Sequence, residues 1–256
     1  MNTNEREEFY VGYLPKAPAG IASHTRKAVI ALAIAAVVIA ILLVLGQSRF
    51  AASFFDFGNA SEFEGVINEY PYPALITRKS GEAGTLPVFA SYALVAEGKH
   101  GADSIVEGFD GRYVKLRGTL IQRDGDAMIE VTPDSIRMTG SGARAMNRPV
   151  ENLGEHTVVG EIVDSKCYLG VMNPGHTKPH RECASLCIRG GIPPLLVARD
   201  AEGKSVALWL LSERGQPVKQ EILDFVAEPV EVTGQVTRNG DQLYLRADPQ
   251  TYRRLE

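Results

Sequence analysis

All three cysteines of this 256-residue chain lie in one segment, residues 167–191, which reads CYLGVMNPGHTKPHRECASLCIRGG. The same segment holds two of the five histidines. Thiolates and imidazoles are ligands that zinc and copper prefer, so the segment predicts a metal site. We expect a helix from about Pro179 to Ile188, because proline suits a first helical turn, Thr177 can cap it, and Gly190 with Gly191 can end it.

Helical spacing would bring three of these side chains together. His180, Cys183 and Cys187 stand three and four residues apart, so they would share one face of the helix. Cys167, at the end of a predicted strand, and either His180 or His176 would complete a Cys3His set for zinc. Copper(I) would accept the same ligands in smaller number. The predicted metal ligands are therefore Cys167, His176, His180, Cys183 and Cys187.

Two other chemistries remain open for the same cysteines. A disulfide from Cys167 to either Cys183 or Cys187 would staple the segment and leave one thiol spare. In a thiol-disulfide oxidoreductase, Cys183 or Cys187 would attack and Cys167 would resolve, with Arg181 or His180 lowering a thiol pKa. The spacing between the two helical cysteines is not the Cys-x-x-Cys of the common redox motif, which makes this the third hypothesis.

The site must be placed relative to a membrane, because one segment can span a bilayer. Residues 28–46, AVIALAIAAVVIAILLVLG, are 19 residues without a charge and would cover the roughly 30 Å hydrocarbon core as a helix. A cleaved signal peptide would have a shorter apolar region and a shorter leader. Lys16, Arg26 and Lys27 precede the segment and only Arg49 closely follows it, which predicts a cytoplasmic N-terminus. In a bacterial inner membrane, everything from about residue 50 would then be periplasmic and exposed to oxidants.

The exported part contains one pattern twice. VKLRGTLIQRDGDAMIEV from Val114 and VEVTGQVTRNGDQLYLRA from Val230 each read as a strand, a Gly-Asp turn and a second strand. Each half holds about five short strands and at most one convincing helix, which fits a small Greek-key barrel of the OB type. The predicted fold is mainly β: one transmembrane helix followed by two tandem OB-like barrels.

The chain thus divides into four predicted parts. They are a cytoplasmic tail at 1–27, the transmembrane helix at 28–46, a first OB-like barrel at 55–147 and a second barrel with the Cys/His cluster at 150–256. The boundary between the barrels falls near residues 141–154, which are rich in glycine, asparagine and proline. The first barrel has no cysteine, so we expect it to be a scaffold or docking module.

The second half resembles a loosely defined group of uncharacterised, exported bacterial proteins with OB-like barrels. The resemblance rests on GEIVDSKC, a histidine-containing loop, CASLCIRGGIPPLLV and a closing EPVEVTGQV. It places the group's Asp-x-x-Cys element at Asp164 and Cys167, and its Cys-x-x-x-Cys element at Cys183 and Cys187. It implies the barrel and the cluster but brings no activity with it. Asp164 could orient a ligating histidine without itself binding the metal.

Composition limits the remaining functions. A net charge of −4 argues against a nucleic-acid-binding protein, which would carry a net basic face. The sequence has no nucleophile elbow, paired carboxylates or phosphate-binding glycine loop, so we predict no catalytic residues and lean against an enzyme. The prediction is a membrane-anchored periplasmic accessory or assembly subunit of a redox system, holding zinc or copper and partnered by other membrane subunits. The alternative is a structural protein-interaction module stapled by one disulfide.

Overall fold

The structure, a computed structural model, describes residues 17, 19–47, 53–79, 88–140 and 150–255. It divides into an N-terminal unit, residues 1–51, and a unit of residues 52–256 that contains both barrels. Most of the predicted cytoplasmic tail and residues 141–149 of the predicted boundary lie outside the described residues.

The N-terminal helix, α1, runs from Ala19 to Gln47 and contains the predicted span at 28–46. It begins nine residues earlier than the apolar run, directly after Pro18, because no proline lies between Ala19 and Ala28 and Arg26 and Lys27 are good helix formers. Residues 19–46 have a mean hydropathy of 3.4 in their most apolar window. The helix is thus long and apolar enough to cross a membrane. A signal sequence near an N-terminus can meet the same criterion of length and composition.

The first barrel is built from five strands: β2 (Ser61–Asn68), β3 (Ala74–Lys79), β4 (Val88–Val95), β5 (Tyr113–Arg123) and β6 (Asp126–Val131). Two shorter strands, β1 (Ser53–Phe55) and β7 (Arg137–Met138), pair with β5, and a short helix, α2 (Asp103–Val106), precedes it. The barrel closes in the order β5, β2, β3, β4, β6 and back to β5. All neighbours are antiparallel except β4 and β6, which pair in parallel. This is the closed Greek-key order of an OB fold.

The second barrel repeats the same order with its own five strands. They are β8 (Val150–Asp164), β9 (Pro194–Arg199), β10 (Ser205–Leu211), β11 (Pro229–Asn239) and β12 (Gln242–Arg246), with β13 (Arg253–Arg254) added to β11. β10 and β12 form the parallel pair, and β11 with β12 closes the barrel. A 3-10 helix at Gln220–Phe225 occupies the place that α2 has in the first barrel. The prediction of a mainly β protein with two OB-like barrels is confirmed.

The repeated hairpins are the two closing pairs, β5 with β6 and β11 with β12. In each, the glycine of the repeat lies where the partner strand comes very close. A Cβ on Gly118 would lie 2.6 Å from the Glu130 carbonyl oxygen, and a Cβ on Gly234 would overlap the carbonyl oxygen of Arg246. Both positions therefore exclude any side chain, which explains why the two stretches share this glycine.

Three apolar clusters hold the unit together. One fills each barrel, and the third joins Val95, Ile121 and Met128 of the first barrel to Leu169, Leu195 and Trp209 of the second. All six of these side chains are at most 1% exposed. Tyr72 extends this contact: its hydroxyl donates to the Leu210 carbonyl oxygen at 2.6 Å and accepts from the Val218 N–H at 3.2 Å. The barrels therefore form one compact unit.

The barrels differ most in the connection between their first two strands. Residues 69–73 join β2 to β3, whereas residues 165–193 join β8 to β9. This connection is one of the loops that OB folds commonly use for binding. In the second barrel it is expanded into a folded segment that carries all three cysteines.

Candidate metal centre

The long connection positions each cysteine on an ordered element. Cys167 begins a short π-helical turn, Cys167–Val171, three residues after the end of β8 at Asp164. Cys183 and Cys187 lie on α3, Arg181–Arg189, which follows a 3-10 turn at Lys178–His180. Gly191, with φ of 97°, follows the end of α3, and its N–H donates to the Ile188 carbonyl oxygen. The helix expected over 179–188 is thus present, but its first residues form a 3-10 turn and the α-helix itself begins at Arg181.

The start of this helix differs from expectation in one detail. Thr177 has a φ of 68°, and its side chain makes no capping hydrogen bond. Its hydroxyl instead donates to the His176 carbonyl oxygen at 2.6 Å, and its N–H donates to the Glu161 carboxylate. The carboxylate of a β8 residue, rather than a helix cap, therefore ties this turn to the barrel.

Four of the predicted ligands come together in two overlapping triads. In the first triad, the Sγ atoms of Cys167 and Cys183 and a ring nitrogen of His180 lie within 4.8 Å of one another. In the second triad, the Sγ atoms of Cys167 and Cys187 and a carboxylate oxygen of Asp164 lie within the same distance. Cys167 belongs to both, so it is the centre of the cluster. All three cysteines are free: Cys167 and Cys187 are buried, and Cys183 is half-buried.

His176, the other predicted histidine, belongs to neither triad. Its ring packs edge-on near Tyr168, with ring centroids 6.5 Å apart. A Cβ on Gly175 would overlap the carbonyl oxygen of Cys167, so the loop does fold back onto the strand end. It brings its backbone to Cys167, while the imidazole that reaches the cluster is that of His180.

Asp164 anchors the cluster from the interior of the barrel. It is fully buried, and its Oδ1 accepts a hydrogen bond from the Cys167 N–H at 2.9 Å. Its Oδ2 lies 3.1 Å from Nε2 of His180, which is itself 4% exposed. A carboxylate bonded to one imidazole nitrogen fixes the ring and leaves Nδ1 for another partner. Asp164 therefore holds both the strand-end cysteine and the histidine in place.

The first barrel contributes a residue that sequence spacing does not reveal. Lys99, in the loop after β4, places its Nζ 2.8 Å from Sγ of Cys183 and 3.5 Å from Sγ of Cys187. The same Nζ is 3.4 Å from the Cys183 carbonyl oxygen. Lys99 is 84 residues away from Cys183 in the sequence, and no motif links the two. The first barrel is thus part of the site and not merely a scaffold for it.

The Lys99 loop is held by a buried lysine next to the cluster. Lys166 is 3% exposed, and its Nζ donates to the carbonyl oxygens of Ala96 at 2.9 Å and Gly98 at 2.7 Å. It also forms an ion pair with Glu130 of β6. A buried ammonium is tolerated where all its donors find partners, as these three acceptors allow. Lys166 therefore fixes the loop that delivers Lys99.

The surroundings separate the acidities of the two buried thiols. A hydrogen bond from Cys167 lowers the pKa of Cys187, and Lys99 adds to the effect against the opposing effect of burial. The pKa of Cys167 is raised, first by this same hydrogen bond to Cys187 and then by burial and by Asp164. The hydrogen bond to Cys183 raises the pKa of Lys99, which keeps it a cation. The cluster is therefore arranged to stabilise a thiolate at Cys187.

Comparisons with known proteins add little to this picture. No protein-family model and no curated protein matches the chain. A solved structure of a deletion mutant of the single-stranded DNA binding protein from Thermus aquaticus is similar at 12% identity and a TM-score of 0.21. That match covers 80% of this chain and 88% of the other chain. A similarity this low does not support a fold assignment, so the OB assignment rests on the strand order of the two barrels.

Proposed function

We propose that the second barrel binds one soft or borderline metal ion, zinc or copper(I), through Cys167, Cys183 and Cys187 with His180 as the fourth ligand. The observation that carries the proposal is the pair of triads that share Cys167. Sulfurs bound to one zinc ion lie about 3.8 Å apart. The ligand atoms of each triad lie within 4.8 Å of one another, so binding one ion requires side-chain rotation that also brings Cys187 to the ligands of the first triad.

The charges around the cluster support a thiolate-bound ion. Three thiolates and a neutral histidine give a zinc site a net charge of −1. Lys99 contributes the compensating positive charge and directs its N–H bonds at the sulfurs of Cys183 and Cys187. Asp164 orients His180 from behind, as carboxylates do at metal-binding histidines. The bound ion would link the strand end, the helix and, through Lys99, the first barrel.

The wider role that fits this site is a membrane-anchored accessory or assembly subunit of a redox system. Helix α1 supports the anchor by its length and hydropathy. Soft thiolate ligands in an exported domain suit the delivery or storage of a redox metal and suit a structural zinc equally well. We place the barrels in the bacterial periplasm and the N-terminus in the cytoplasm on the positions of Arg26 and Lys27.

The decisive experiment measures metal and thiols together. The full chain, purified in detergent without chelators, should contain about one zinc or copper ion per chain, and Cys183→Ser should reduce this to below about a tenth. The two histidines provide a matched pair: His180→Asn should lower metal content strongly, and His176→Asn should leave it unchanged. Metal-free protein after incubation with zinc and with copper(I) would refute the proposal, as would equal effects of the two histidine variants.

The disulfide hypothesis now has a definite candidate pair. Cys167 and Cys187 are hydrogen-bonded to each other, whereas Cys183 faces Lys99. If the cluster serves as a staple, oxidation should join Cys167 to Cys187 and leave Cys183 as the spare thiol. Disulfide mapping of the same preparation distinguishes this structural module from the metal protein.

A further inference from the structure

The contact between Lys99 and Cys183 is unusually close for an amine and a thiol. Their Nζ and Sγ atoms are 2.8 Å apart. A charge-assisted hydrogen bond from nitrogen to oxygen has a length of about 2.7–2.9 Å, and sulfur is a larger atom than oxygen. The two atoms therefore approach each other more closely than a hydrogen bond to sulfur needs.

Packed backbone, rather than a flexible side chain alone, holds this approach. The N–H of Gly101 donates to the Gly190 carbonyl oxygen at 2.9 Å, which joins the Lys99 loop to the end of α3. A Cβ on Gly190 would overlap the carbonyl oxygen of Lys99 itself. Lys166 binds the other side of the loop through Ala96 and Gly98. The backbone of Lys99 therefore has little freedom to move away from the end of α3.

Cys183 is also the cysteine that an oxidant reaches first. It is half-buried, whereas Cys167 is 4% exposed and Cys187 is 1% exposed. The residues on either side of Lys99, Gly98 and His100, are exposed. Solvent access is one of the factors that decide which cysteine an oxidant attacks.

We propose that Lys99 and Cys183 are the site of an oxidative crosslink in which a single oxygen atom joins Nζ to Sγ. The co-reactant is dioxygen. The Lys99 ammonium first gives one proton to solvent. The S–H bond and one N–H bond of the resulting amine then break, and one S–O bond and one N–O bond form. Sulfur and nitrogen each lose two electrons, and dioxygen accepts all four. Its second oxygen atom leaves as water with the two released hydrogens.

The crosslink goes beyond the proposed metal site and does not require it. It would join the two barrels covalently, and it would remove Cys183 from the ligands that a metal could use. Only the expected competition between metal and crosslink rests on the proposed function. Metal bound to Cys183 should protect it from oxidation, and the crosslinked protein should bind metal less well.

Peptide mass spectrometry tests the proposal on the full chain in detergent. One sample is treated with a chelator, freed of reductant and exposed to air, and a second is loaded with zinc first. The chelator-treated sample should give a linked peptide pair containing Lys99 and Cys183, about 14 Da heavier than the two reduced peptides together. A thiol reductant should abolish the pair. Lys99→Arg, which keeps the charge, should lose it, and the control Lys178→Arg, at a lysine whose side chain is 76% exposed, should keep it.

Other products would overturn the crosslink. Cys183 recovered as a free thiol, as a linear sulfur oxyacid or in a disulfide would do so. A linked pair about 2 Da lighter than the reduced peptides would also do so, since it would mean a direct S–N bond without oxygen. Metal content measured on the untreated protein is independent of these outcomes. A full complement of metal with no linked pair after chelation refutes the crosslink and leaves the metal site standing.

Discussion

At the scale of single residues, Asp126 shows how the repeated turns affect stability. It begins β6 at the hairpin tip of the first barrel, and burial raises its pKa to about 6, with smaller contributions from Asp241 and Asp124. Asp241 belongs to the corresponding hairpin of the second barrel, and its Oδ1 accepts from the N–H of Ser91 at 3.3 Å. The Gly-Asp turn found twice in the sequence therefore places carboxylates from both barrels near each other.

This arrangement predicts a pH-dependent stability. The folded protein binds a proton on Asp126 up to about pH 6, whereas the unfolded chain releases it near pH 4, so the free energy of unfolding falls as pH rises between those values. Asp126→Asn removes the cost of the buried charge. It should therefore raise the free energy of unfolding at pH 7.5. We expect about 1–2 kcal/mol, less than the pKa shift alone implies, because the carboxyl is partly exposed to solvent.

Denaturant titrations of both proteins at pH 4 and pH 7.5 provide the measurement, with Asp134→Asn, at an exposed aspartate, as the control. The advantage of Asp126→Asn should disappear at pH 4. A gain of the same size at both pH values would show that the charge on Asp126 is not its cause.

At the scale of elements, the end of α3 and the Lys99 loop behave as one joint. Gly190 has φ of −74° and ψ of 0°, a conformation open to any residue, so its backbone does not require glycine. What excludes a side chain is the Lys99 carbonyl oxygen. Gly190→Ala should therefore push the two barrels apart locally, at a cost of about 1–3 kcal/mol.

The readout for Gly190→Ala combines stability with thiol reactivity. As Lys99 moves away, Cys183 should lose its partner and react at a different rate with a thiol reagent in the absence of metal. Gly203→Ala is the contrast, because a Cβ there meets no atom but its φ of 78° is strained. It should destabilise a turn without altering Cys183. Unchanged Cys183 reactivity in Gly190→Ala would show that the joint does not position Lys99.

Local sequence patterns predicted the elements but not the joint between them. The hairpins follow from alternating strands and Gly-Asp turns, and helix α3 follows from Pro179 and the glycine pair, all of which are short-range signals. Lys99 carries no such signal, because its role depends on two barrels packing together across 84 residues of chain. Lys166 carries no local signal either. Its burial is explained only by partners from the first barrel, the Glu130 carboxylate and the carbonyl oxygens of the Lys99 loop.

At the scale of the whole molecule, the two barrels cannot be understood as a scaffold and a separate functional domain. Their shared apolar cluster and the Lys166 ion pair place parts of the first barrel against the cysteine segment, and the Tyr72 hydrogen bonds join the first barrel to Leu210 and Val218 of the second. A change that separates the barrels would therefore expose the thiols and remove their cation at the same time. We therefore expect the expanded connection between β8 and β9 to keep its structure only in the two-barrel unit.

The placement of that unit relative to a membrane gives the last prediction. A reporter enzyme that is active only after export should work when fused after Glu256 and fail when fused at the N-terminus, because Arg26 and Lys27 favour the cytoplasmic side. The mass of the chain extracted from membranes should equal that of the full sequence if α1 stays as an anchor, and it should be shorter by at least the helix if α1 is a cleaved signal. The reverse reporter pattern would place the cysteines in a reducing compartment. There, dioxygen-driven crosslinking would be suppressed and a structural zinc ion would become the better account of the cluster.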